Sequence, residues 1–237
     1  MAKYKKLSWD SELFGYGIAK ITSNNLTGDN LNKILKNLAG ENIRLVYWSI
    51  DPKDRTSNNT ALANNGTLVD TKITYIKNIT ETLFEKPEFI YSVINHPIPT
   101  KIISLALQSG LYSRFKNDSH FKNNEFEKLY KAWIESSLNG KIAKDVLVYK
   151  EFDDELGLIT IGVKNNRCNI GLLAVDEKMR GKSIGTLLIN AAFEKCKKLG
   201  YNDIQVVTQK TNVGACTFYE KMGFEKEKEE NIYHFWL

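Results

Sequence analysis

Cysteine, proline and methionine are scarce in this chain of 237 residues, at 3, 4 and 3 residues, and no apolar run approaches the roughly 20 residues needed to cross a bilayer. Cys168, Cys196 and Cys216 are odd in number, widely spaced and free of any CxxC pair. That usage argues against disulfides and zinc and for a reducing, cytoplasmic setting. Met1-Ala2-Lys3-Tyr4-Lys5-Lys6 leads into no apolar signal stretch, so neither export nor membrane binding is expected. Charge of one sign is lacking as well: 33 basic against 28 acidic residues leave a formal +5. This is too mild for a nucleic-acid footprint, though it suits small anionic substrates. The longest charged run, Glu225 to Glu230, alternates in sign as a solvated hairpin would. His96, His120 and His234 are scattered and form no constellation, so no metal is expected and no general base is evident.

What is present is concentrated between Leu172 and Phe224. Ile170, Leu172, Leu173, Ala174 and Val175 form a short apolar run that suits a strand buried on both faces. Asp176 to Met179 is polar, and Arg180 to Gly185 brings two glycines to a turn. Thr186, Leu187, Leu188, Ile189, Ala191, Ala192 and Phe193 then repeat at helical spacing until Leu199-Gly200. Amides at the start of such a helix lack internal partners, so the turn is a natural seat for a pyrophosphate, with Arg180 and Lys182 adding positive charge. Gly181-Lys182-Ser183 does not complete a Walker-type loop, because Asp176 stands where the first glycine belongs. A dinucleotide fingerprint also fails for want of three glycines at its offsets. Ile204, Val206 and Val207 read as a second strand. Asn212 opens a second helix, with Ala215, Phe218, Tyr219 and Met222 facing inward and Gly223 closing it. Asn212 and Tyr219, about two turns apart, share a face.

The run Arg180-x-x-Ser183-x-Gly185 resembles motif A of the GNAT superfamily of N-acetyltransferases, with Ser183 in place of that pattern's first glycine. Asn212-x-x-Ala215-x-x-Phe218-Tyr219-Glu220-x-x-Gly223-Phe224 is similar to the segment that follows it in that family. The resemblance implies a GNAT fold of the α/β (α+β) class, with a mixed, splayed central sheet, and acetyl-coenzyme A as cosubstrate. It places the cosubstrate against Leu173, Ala174 and Val175, the turn Arg180, Gly181, Lys182 and Ser183, and the helix start Ile184, Gly185 and Thr186. Asn212, Ala215 and Phe218 complete that expectation. A backbone N–H of the Leu172 to Val175 strand, taken as that of Leu173, is expected to stabilise the oxyanion, at a bulge where the strand parts from its neighbour. Tyr219 is expected to be the general acid for the departing thiolate.

The first 85 residues read as a small α/β unit: strands at Ile18 to Thr22, Leu45 to Ile50 and Leu68 to Lys77, with helices at Leu31 to Leu38 and Asn58 to Asn65. Its ending, Asn65-Gly66-Thr67 before an alternating strand, echoes Met222-Gly223-Phe224 before Ile232 to Leu237, which suggests a degenerate half of the same fold. Three of the four prolines lie in Glu85 to Pro99. The expected organisation is therefore 1–85 as an N-terminal domain and 86–237 as a catalytic domain opening with a strand at Phe89 to Asn95. A helix is expected from Pro99 to Leu107, ended by Gly110.

Between that helix and the core lie Ser113-Arg114-Phe115-Lys116 and a helix with Tyr130-x-x-Trp133-Ile134-Glu135. A guanidinium at Arg114 suits a diphosphate and an aromatic face at Phe115 suits a base; the same aromatics also suit a core. With Ser8-Trp9-Asp10-x-x-x-Phe14-Gly15, these segments look like the TDP-fucosamine N-acetyltransferase family. That resemblance implies a nucleotide-linked amino sugar as acceptor, with Arg114 and Phe115 gathering it, a cytoplasmic place in surface-polysaccharide synthesis, and a homodimer. A polyamine or protein N-terminus as acceptor, or a noncatalytic acyl-coenzyme A module, are the alternatives.

Overall fold

A computed structural model of the chain describes residues 3–79, 89–95, 100–152 and 154–237. The expected boundary at 85/86 lies outside the described residues, as do Met1, Ala2, His96 and the helix-opening Pro97 and Pro99. The strands are β1 (Tyr4–Lys6), β2 (Gly17–Ile21), β3 (Ile43–Ile50), β4 (Thr67–Asn78), β5 (Ile90–Ser92), β6 (Asp145–Glu151), β7 (Asp154–Lys164), β8 (Arg167–Val175), β9 (Asp203–Gln209) and β10 (Glu225–Trp236). The helices are α1 (Ser8–Phe14), α2 (Gly28–Gly40), α3 (Arg55–Ala63), α4 (Thr100–Ser109), α5 (Arg114–Asn117), α6 (Glu125–Leu138), α7 (Ile184–Lys198) and α8 (Val213–Lys221). Together they give the expected α/β class with a mixed, splayed sheet.

The ten strands among the described residues join one sheet in the order β1-β2-β3-β10-β4-β9-β8-β7-β6-β5. The order is symmetric about its middle. β2 and β3 run parallel with α2 between them in the chain, as β8 and β9 do with α7 between them. After a second helix, α3 or α8, each half sends its third strand across: β4 pairs with β9, and β10 pairs with β3. The two exchanged strands then pair antiparallel with each other. The charged run that opens β10 is thus a strand and not the expected hairpin. Its Lys and Glu side chains alternate across a sheet that pairs with β4, and Lys226–Glu229 and Lys228–Glu230 neutralise one another at 3.0 and 2.9 Å.

Three apolar clusters cover the sheet. One joins α7 and α8 to the back of β8, β9 and β4 through Phe193, Ile189, Val206 and Tyr75. Another packs α4 and α6 on the front through Ile102, Leu105, Leu129 and Ile134. The third holds α2 against β3 through Leu31, Leu38 and Trp48. In the first, Cys168 of β8 and Cys196 of α7 form a disulfide across a Cα separation of 5.9 Å, leaving Cys216 as the free thiol. This overturns the expectation of no disulfide: an odd count excludes only a complete pairing, and the helix lays these two side chains together. No helix among the described residues is long and apolar enough to cross a membrane.

Gly110, beyond the last turn of α4, lies flat against the Tyr130 ring of α6, and a Cβ there would sit 2.2 Å from the ring carbon bearing the hydroxyl. Gly110→Ala should therefore cost about 2 kcal/mol or more of unfolding free energy, read as a lower midpoint in urea. An unchanged midpoint would show that α4 and α6 separate freely.

Candidate active site

β8 and β9 pair only at Cys168, Asn169 and Ile170 with Ile204, Gln205 and Val206. Beyond that point they part, and the gap opens onto a front-face cavity of about 940 Å³. The parting coincides with a bulge: opposite Thr160 of β7, strand β8 fits Gly171 and Leu172 into the space of one residue. Thr160 Oγ1 accepts the Leu172 N–H at 2.8 Å, and a Cβ on Gly171 would lie 2.7 Å from that oxygen, so only glycine fits. The Asp176 N–H also points to β7, donating to the Leu156 carbonyl at 2.9 Å. Successive amides of a strand point to opposite edges, so those of Leu173 and Val175 face the gap.

At the end of β8 the chain makes a 3-10 turn at Glu177–Met179 and enters α7 through Ser183. Gly181 and Ser183 have φ of 81° and 61°, so the position where the serine replaces glycine is left-handed. Ser183 caps no amide with its side chain, and Arg180 Nε donates to the Val175 carbonyl at 3.3 Å. The first turn of α7 thus presents uncapped amides beside two exposed cations, Arg180 and Lys182. Ile184 is buried, while Gly185 and Thr186 are half-buried. A Cβ on Gly185 would come within 3.2 Å of the Phe218 ring, so this glycine lets α7 approach α8. Asn212 caps α8, its Oδ1 accepting the Ala215 N–H at 3.2 Å.

Leu173, Asn212, Ala215, Tyr219, Arg114 and Phe115 all line the one cavity. Ala174, Val175, Phe218 and residues 180–186 are not among its lining and stand at the end of the gap. Tyr219 is 5% exposed among Phe218, Phe224 and Tyr75, and burial pushes its phenol well above the ordinary value. It keeps its proton across the physiological range.

The far wall carries charge. The Arg114 guanidinium lies 4.2 Å from the Phe115 ring centre and 4.8 Å from that of Tyr47, with a buried Nε that has no partner. Phe115 itself is 5% exposed and packed against Phe14, Phe121 and Trp133, with Arg114 over its face, so it is not placed to stack on a base. The half-exposed ring on this wall is Trp133. Lys20, Lys72 and Lys164, none of which stood out in the sequence, join Arg114 around the cavity. Among the described residues none of these four cations forms an ion pair. Asp70 is the one unpaired acid among them: it is 9% exposed, its Oδ2 has no partner, and burial raises its carboxyl against the pull of Lys72 and Arg114. Arg114 foremost, with burial, lowers Lys72 to about 7.

The loop bearing Arg114 is tied to β10. Asp118 Oδ2 accepts from His234 Nδ1 at 2.6 Å and Trp236 Nε1 at 3.0 Å, and Oδ1 accepts the His120 N–H at 3.0 Å. Burial alone would raise the Asp118 carboxyl, but these donors outweigh it and hold it well below the carboxylate range. His234 is fully buried, and burial lowers it to about 4, so it is neutral at pH 7. Two histidines that look scattered in the chain thus meet on one carboxylate.

Comparison with known proteins follows this geometry. Residues 112–224 match the model of the acetyltransferase (GNAT) family. The chain is 29% identical over 135 residues to the spore coat polysaccharide biosynthesis protein SpsD of Bacillus subtilis (strain 168), covering 57% of this chain and 46% of that protein, so it spans less than half of that relative. It is 30% identical over 146 residues to streptothricin acetyltransferase A of the same organism, covering 60% of this chain and 78% of that protein. A GCN5-related N-acetyltransferase from Sphaerobacter thermophilus superposes with a TM-score of 0.64 over 98% of this chain and 76% of its own, at 12% identity, a likeness of fold alone.

The Asp118–His234 pair makes stability pH-dependent. His234 binds a proton near 6.5 when unfolded and near 4 when folded, so the unfolded chain holds more protons between those values and stability falls as pH drops through them. The loss should reach about 3 kcal/mol by pH 4. Below that, protonation of Asp118 in the unfolded chain should remove more. Thermal midpoints from pH 7.5 to 4 test this against His234→Asn, whose profile should be flatter; identical profiles would contradict it.

Proposed function

Because the chain belongs to the GNAT family of acetyltransferases, we propose that it moves acetyl from acetyl-coenzyme A to the exocyclic amine of a nucleotide-linked (TDP or UDP) amino-deoxy sugar. The observation that carries this reading is the single cavity, with the Leu173–Tyr219 end of the gap on one side and four unpaired cations on the other. A diphosphate supplies the counter-charge that Lys20, Lys72, Arg114 and Lys164 lack. The same charge repels a polyamine, and the relative concerned with spore coat polysaccharide favours a sugar.

In this reading the thioester enters the gap with its pyrophosphate on the uncapped amides of α7, beside Arg180 and Lys182. The amine nitrogen attacks the carbonyl carbon, and the developing oxyanion accepts from the Leu173 N–H. As the C–S bond breaks, Tyr219 donates to the sulfur; a buried phenol that holds its proton tightly first stabilises the thiolate by hydrogen bonding and then protonates it. Attack is direct, since no nucleophilic Ser or Cys stands beside a base among the described lining residues. Trp133 takes the place expected of Phe115 as the ring beside the nucleotide. A cytoplasmic homodimer belongs to the same proposal.

A panel of TDP- and UDP-linked amino sugars, assayed by thiol release, should find an acceptor; release with none of them would refute the reading. Tyr219→Phe should lower kcat about 10²-fold or more with little change in coenzyme affinity. Arg114→Ala should raise the acceptor KM about tenfold, and an unchanged KM would remove Arg114 from the acceptor site.

A further inference from the structure

The acyl-transfer reading leaves one proton without a destination. An amine that arrives as an ammonium ion must shed a proton before its lone pair can attack. Apart from the phenols Tyr130 and Tyr219 and the arginines, the titratable groups among the described cavity-lining residues are Asp70, Glu227, Glu230, Lys20, Lys72, Lys164 and Lys228. Glu227 is held by Arg167 at 2.6 Å and Glu230 by Lys228 at 2.9 Å, so these side chains are engaged with each other and not free in the cavity.

Register separates the rest. β4 pairs with β9 from Asn78 to Lys72, and Lys72 faces Gln209, the last residue of β9. β9 borders the gap on its other edge, so Lys72 stands one strand spacing, about 4.8 Å, from the strand that forms the wall of the acyl site. Asp70 lies two residues farther along β4, opposite Ile232 and past the end of β9. Lys20, on β2, is separated from β4 by β3 and β10, and Lys164 is at the exposed end of β7. Lys72 is thus the cavity lysine closest in the sheet to the acyl site, and it lines the same cavity as Arg114.

We propose that Lys72, in its neutral form, is the general base that receives the proton of the incoming ammonium. The assignment rests on the acyl-transfer reading above. The groups around Lys72 support it. Arg114 from α5, Lys20 from β2 and Lys164 from β7 disfavour its charge, while Asp70 on its own strand favours it. Glu230 of β10 is its direct cross-strand partner, with Lys228 two pairs along, and Asp10 of α1 and His234 of β10 both sense its field. The balance holds Lys72 far below the ordinary lysine value, so a neutral form with a free lone pair is accessible near neutral pH.

The ammonium nitrogen loses two protons in all. The first passes to Lys72 Nζ and on to solvent. The second leaves after the C–N bond forms and, through water, replaces the proton that Tyr219 gives the sulfur as the C–S bond breaks. The products are the amide, the free thiol and one released proton.

Lys72→Arg separates base from binding cation, because a guanidinium keeps the charge and takes no proton. With the acceptor found by the panel, Lys72→Arg should hold its KM within about threefold and lower kcat about 10²-fold or more. The acid limb of kcat near neutral pH should vanish with it. Lys72→Met, checked for an unchanged thermal midpoint, should lose kcat equally and raise KM as well. Wild-type kcat and an intact acid limb in Lys72→Arg, or a change in KM alone, would overturn the proposal while leaving the acyl-transfer reading standing. If the wild type acetylates no acceptor, both fall.

Discussion

The hydrogen bond from the Leu172 amide to Thr160 Oγ1 governs the rest of the site. By satisfying that amide with a side chain, it lets β8 carry one residue more than β7 opposite. The extra residue must be Gly171, since any Cβ would collide with the same hydroxyl. Once the bulge is set, the twist of β8 increases and its pairing with β9 ends at Ile170. The amides beyond it turn to an edge with no strand to receive them. A threonine and a glycine on neighbouring strands thus decide where the sheet opens and which amide looks into the opening.

Charge is distributed in two distinct ways. Elsewhere several cations sit beside carboxylates, as Lys6 does with Glu41, Lys210 with Glu229 and Lys101 with Asp176. Such pairs contribute little stability and leave little field. Around the front cavity the pattern is broken by four cations and a single unpaired acid. Like charges held together without partners destabilise a fold, so their presence on rigid strands and on a loop clamped through Asp118 marks a place organised for something other than stability. The clamp matters because Arg114 lies on a helix of only four residues that could not hold its direction alone.

Local order was readable in the chain wherever it follows from near neighbours. The strand, turn, helix, strand and helix from Arg167 to Lys221 came through because apolar spacing, Gly200 and the Asn212 cap are all local signals. Ser183 stands where the resembled pattern has glycine, and its left-handed φ shows why glycine suits that position. Arg114 drew notice because it sits beside aromatics in sequence. Lys20, Asp70 and Lys72 did not, since each is an ordinary polar residue in an alternating strand and they meet only when β2, β10 and β4 lie side by side. His120 and His234 are 114 positions apart and share Asp118 for the same reason. The Cys168–Cys196 pair depends on how α7 rotates over β8, which a spacing of 28 residues does not encode.

The exchange of β4 and β10 has a consequence for how the protein is made. β3 and β4 are synthesised early, but the place between them belongs to residues 225–236, which are made only after β5 to β9. Until then the nascent sheet carries an unfilled slot bounded by two bare edges, a docking template for any complementary strand. Nothing in the geometry demands that the strand come from the same molecule. Crowded on a polysome, neighbouring nascent chains could fill each other's slots and emerge interlocked.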